Sequence, residues 1–116
     1  MPQACRLELP LLPSLNNAYV NVPGRGRVAS KALKAWKEAA GWALKMQPRA
    51  QFAGPFKIVL MVPEKARADT DNYLKAAIDL LVTYRVTPDD RFAQSVTSER
   101  SKDVRSGECI IIVEAA

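Results

Sequence analysis

Five of the twelve acidic residues of this 116-residue chain fall between positions 69 and 90: Asp69, Asp71, Asp79, Asp89 and Asp90. In extended backbone, residues two apart project to the same side, so the carboxylates of Asp69 and Asp71 can grip one cation. Two unneutralised acids so close repel, and one tends to stay protonated. A bound Mg2+ or Mn2+ reverses that tendency. Lys75 stands four residues after Asp71, one helical turn on, where it can hold charge beside a metal-bound phosphate. Asp89-Asp90 follows a short connection that returns the chain toward the sheet edge, where a third carboxylate can join the cluster. Lys65 and Arg67 precede the acids as a basic approach. Acids that hold a metal, flanked by bases that hold phosphates, are what metal-assisted phosphodiester hydrolysis requires.

Each of these residues also has an ordinary structural use. Asp71 can cap a helix, Asp71 and Lys75 can form an i,i+4 ion pair of about 0.2–0.5 kcal/mol, and Pro88-Asp89-Asp90 can be a turn. Composition narrows the choice. The chain has no histidine, which excludes Ser-His and Cys-His nucleophile pairs, an HExxH zinc site and an imidazole base. Its two cysteines, Cys5 and Cys109, lie at opposite ends and make neither a CxxC pair nor a zinc cluster of four cysteines. Any catalysis falls to carboxylates, lysines, hydroxyls or an oxygen-held metal.

Seventeen lysines and arginines against twelve acids give a formal charge of +5. The excess sits in residues 1–50, where eight basic residues face only Glu8 and Glu38. Clustered positive charge favours a polyanionic partner. Arg25 and Arg27 alternate with Gly24 and Gly26 at the tip of a polar loop, with Tyr19 beside them as a candidate nucleic-acid contact. The N-terminus is a poor signal peptide and no apolar run approaches the ~20 residues of a membrane span, so a cytoplasmic protein with reduced thiols and no membrane contact is expected.

The elements that must position these residues follow from periodicity. At 48% hydrophobic, one domain over residues 1–116 is expected. Cys5–Leu9 alternates as a half-buried strand, and residues 14–29, rich in Asn, Gly and Pro, read as a loop. Ser30 caps a helix running to about Met46, with Leu33, Trp36, Ala40, Ala43 and Leu44 inward. Phe56–Val62 reads as a central strand, and a second helix runs from near Asp71 to Tyr84 with Leu74, Ala77, Ile78 and Leu81 inward. Phe92–Ser98 and Cys109–Glu114 are two more strands. This order implies an α/β or α+β fold, a mixed sheet flanked by two helices.

At this point the chain resembles the RusA family of Holliday-junction resolvases. The likeness rests on Leu9–Tyr19 (LPLLPSLNNAY), Arg25-Gly26-Arg27 with Ser30, the block Arg67–Asp79 (RADTDNYLKAAID), and Asp89-Asp90. The resemblance implies a homodimer that binds four-way DNA junctions and makes paired symmetric nicks in recombination and repair, using Mg2+ with Mn2+ as a possible substitute. By position, Asp69, Asp71 and Asp90 match the family's metal-binding carboxylates and Lys75 its catalytic lysine. Asn17, Tyr19, Arg25, Arg27, Lys65 and Arg67 are the expected DNA-binding residues. Arg85 stands where a helix-ending glycine is common in the family. The alternative to the nuclease is a branched-DNA-binding protein without catalysis.

Overall fold

The computed structural model describes residues 4–11, 19–48, 50–66 and 73–116. The chain forms β1 (Ala4–Pro10), β2 (Tyr19–Val22), β3 (Gly26–Ala29), helix α1 (Lys31–Lys45), β4 (Phe56–Pro63), helix α2 (Leu74–Thr83), a 3-10 turn (Asp90–Phe92), β5 (Ala93–Ser101) and β6 (Glu108–Ala115). Four strands make a mixed sheet in the order β1-β6-β4-β5. β6 is antiparallel to β1 and β4, and β5 is parallel to β4, with α2 in the connection that a parallel pair requires. An α+β fold with a mixed sheet and two helices is therefore what the chain adopts.

Alternation decides which sheet face is buried. Leu7, Ile111 and Leu60 lie in one row across three strands, and Cys5, Val113 and Ile58 in the next. All six are buried, and they share one core with Leu33, Trp36, Ala40 and Leu44 of α1 and Ala76, Ala77, Leu80 and Leu81 of α2. Ser30 begins α1 as expected, its Oγ accepting from the Leu33 N–H at 3.1 Å. Gly41 lets Tyr84 lie flush against α1, since a Cβ there would meet the tyrosine hydroxyl at 2.0 Å. Gln47 closes the outer edge of β1: it accepts from Glu8 N at 2.8 Å and donates to Glu8 O at 2.5 Å.

Three sequence expectations need correction. Residues 14–29 are not wholly loop, because Tyr19–Val22 and Gly26–Ala29 pair as an antiparallel hairpin. Gly24 and Gly26 take φ of +78° and +75° there, so the glycines that suggested a loop are the chemistry of a tight turn. Phe92 belongs to the 3-10 turn, since the Asp89 carboxylate accepts from Arg91 N and holds the chain helical up to that residue. β5 then runs on to Ser101, past the expected end at Ser98, because Glu99, Arg100 and Ser101 pair with Met61, Val62 and Pro63. The start of the second helix near Asp71 lies outside the described residues.

Helix α2 ends where an arginine takes a glycine's place. Arg85 has φ of +59°, its N–H donates to Val82 O at 3.1 Å, and Val86 N donates to Leu81 O at 2.9 Å. This is a Schellman ending with buried Val86 and Leu81 as its apolar pair.

Candidate active site

Asp90 opens the 3-10 turn that leads into β5, on a fully exposed surface. Asp89 caps that turn through its 3.1 Å bond from Arg91 N. A hydrogen bond between the two carboxyl groups holds Asp90 above the ordinary carboxylate range, and the negative charges of Asp89 and then Asp79 add to the shift. Asp89 is pushed the other way, below the ordinary range, by the same bond and by the Arg91 N–H. The two carboxyls therefore compete for one proton in the absence of a cation.

Sequence spacing assigns a role to neither Asp79 nor Asp89. Asp79 is half-buried on α2, one turn after the exposed Lys75, and near enough to Asp90 for its charge to act there. The i,i+4 spacing puts Lys75 and Asp79 on one helix face. That α2 packs against the Asp90 turn could not be read locally.

The other expected residues distribute as follows. Arg25 and Arg27 are exposed on the β2–β3 hairpin, with Arg25 N donating to Val22 O at 3.0 Å in the turn. Tyr19 begins β2 opposite Ala29. Lys65 is exposed in the turn after β4 and lines a cavity of about 370 Å³ with Leu11, Pro63, Lys102, Val104 and Gly107. Asn17, Arg67, Asp69 and Asp71 lie outside the described residues. Phe56 faces Ala93 at one end of the β4–β5 pair and Pro63 faces Ser101 at the other, so Asp90 and Ala66 stand at opposite ends of it.

Among the described residues, no three histidine, cysteine, aspartate or glutamate groups converge as metal ligands. The chemistry of the described donors nevertheless suits a hard divalent cation. Two adjacent exposed carboxyls, with the charge of a third acid acting on Asp90, are all-oxygen donors whose repulsion a cation would relieve.

Residues 8–114 match the family model described as endodeoxyribonuclease RusA. No curated protein matches the chain. No helix among the described residues is long and apolar enough to cross a membrane.

Proposed function

Because the chain belongs to the RusA endodeoxyribonuclease family, we propose that it is a homodimeric, divalent-metal-dependent endonuclease that resolves four-way DNA junctions, with residues 1–116 acting as one domain. The observation that carries this reading is the excess of negative charge around Asp90, set in a protein whose net charge is +5. A surface that only bound DNA would gain nothing from carboxylates in its contact area.

Asp69, Asp71 and Asp90 would hold the cation, with Mg2+ as the resident ion and Mn2+ as a substitute. When bound, such an ion supplies charge neutralisation at the phosphate and lowers the pKa of an attacking water. Lys75 donates to a non-bridging phosphate oxygen as negative charge builds there, which favours the pentacovalent transition state over the ground state. Arg25, Arg27, Lys65 and Arg67, with Asn17 and Tyr19, hold the DNA backbone and orient it. A two-fold dimer presents two equivalent sites to two opposed strands, as paired nicks require.

The test is to incubate an end-labelled synthetic four-way junction with the protein in Mg2+ and in EDTA. Symmetric nicks in Mg2+ alone, abolished by Asp71→Asn, are expected. Wild type that leaves the junction intact in Mg2+ and Mn2+, or undiminished nicking by Asp71→Asn, contradicts the proposal.

The rival reading is a junction-binding protein without catalysis. It predicts binding that weakens steeply with salt, no cleavage in any metal and little effect of Asp→Asn changes.

A further inference from the structure

The end of α2 carries a charge that its fold does not need. Arg85 takes left-handed backbone, φ +59°, which glycine adopts without steric cost, and the Schellman bonds around it use the main chain alone. The side chain is exposed, and among the described residues no hydrogen bond or ion pair engages its guanidinium. Backbone strain kept without a structural return points to a use for the side chain.

The neighbouring surface supplies a second cation and an aromatic platform. Lys45 ends α1, and its Nζ lies 5.5 Å from the ring centroid of Trp42 and 5.7 Å from that of Tyr84, the residue before Arg85. The two rings hold the ammonium in place, so it has less freedom to lose on binding an anion. Trp42 is 65% exposed on the outer face of α1, against 5% for Trp36 in the core. Tyr84 and Arg85 line a cavity of about 550 Å³ with Gln47, Pro48 and Gln51. Gln51 and Arg85 also line a second cavity, of about 510 Å³, that reaches Thr87 and Asp89, next to Asp90. We propose that Arg85, Lys45 and Trp42 form a contact for the sugar–phosphate backbone of a DNA strand, in which the two cations take phosphates and the exposed indole seats a sugar or base beside them. Charge selects this occupant: Arg85 is the one charged group lining the first cavity, Lys45 stands beside it, and a polyanion gains from both what a neutral partner would not. The inference rests on DNA being the substrate, and not on which acids hold the cation.

Four-way-junction binding by the full-length protein, followed by fluorescence anisotropy in EDTA over a range of salt, tests the inference without relying on cleavage. Arg85→Gly and Lys45→Ala should each weaken binding by about tenfold and lower the salt slope by about 0.9, the share of one phosphate. Arg85→Gly relieves the backbone and should unfold at higher urea, which separates its loss of affinity from loss of fold. Trp42→Ala should weaken binding several-fold with the slope unchanged, and Trp42→Phe should recover part of that. Where Lys45→Ala lowers the urea midpoint, Lys45→Gln takes its place. Lys31→Ala, which removes the same charge from the far end of α1, should keep the wild-type slope.

A wild-type salt slope in Arg85→Gly or in the Lys45 variant overturns the inference. So does a Lys31→Ala protein that matches them, which marks an effect of net charge alone. Failure here is distinct from failure of the proposed function. A junction bound through Arg85 and Lys45 but left uncut overturns only the nuclease, and cutting combined with wild-type binding by Arg85→Gly overturns only this contact.

Discussion

The carboxyl groups of Asp89 and Asp90 are joined by a hydrogen bond that lowers the pKa of Asp89 and raises that of Asp90. Adjacent in sequence and exposed, they are separated in titration by the turn that Asp89 caps. Protonated Asp90 donates to ionised Asp89, so the pair holds a proton at a pH where an isolated carboxylate would have lost it.

A pH dependence follows with a definite sign. Asp90 has a folded pKa above its unfolded one, so its contribution favours the fold below the unfolded value and is lost as pH rises through the folded value. In metal-free protein, carboxyl 13C titration should show Asp90 ionising above the ordinary range. Asp89→Asn should move that midpoint down, and Asp79→Asn should move it down by less. On the proposed reading, protons compete with the cation at Asp90, and the acid limb of cleavage should shift to lower pH in Asp89→Asn. A midpoint indifferent to Asp89→Asn contradicts this account of the pair.

Arg85→Gly should stabilise the protein by about 1 kcal/mol, because a non-glycine residue in left-handed backbone costs roughly 1–2 kcal/mol and glycine gives part of that back as unfolded-state entropy. The Schellman bonds use the backbone alone and survive the change. Urea denaturation with an unchanged m-value should show the gain. A lower midpoint would mean that the Arg85 side chain contributes more than its backbone costs.

Lys75→Ala should leave junction affinity nearly unchanged and slow cleavage by about 10²–10³-fold, the range seen when one donor to developing charge is removed. Lys75→Arg keeps the charge and should fall between wild type and alanine. Single-turnover rates with saturating protein separate the chemical step from binding. Equal losses in affinity and rate would place Lys75 in DNA binding alone.

Much of this fold was legible because its signals are local. The alternation of Cys5–Leu9, the apolar run Phe56–Val62 and the helical spacing of Leu33, Trp36, Ala40 and Leu44 report burial directly. The hairpin at Tyr19–Ala29 escaped because its strands are four residues each and its two left-handed glycines resemble loop composition. The candidate site divides the same way. The Asp69-x-Asp71 spacing and Lys75 could be seen in the sequence, whereas the influence of Asp79 on Asp90 depends on how α2 meets the following turn. The bonds from Arg100 Nη1 to the carbonyls of Glu64 and Ala66 likewise depend on the parallel register of β4 and β5, which periodicity does not reveal.

The central claim is that the carboxylates serve hydrolysis and not DNA binding, and Asp90→Asn tests it most directly when binding and cleavage are measured on the same four-way junction. The substitution keeps the side-chain shape and removes one negative charge, and with it one of the three carboxylates proposed to hold the cation. Junction affinity in EDTA should stay equal or rise, while nicking in Mg2+ falls by about 10²-fold or more. Nicking by Asp90→Asn at the wild-type rate would contradict the account.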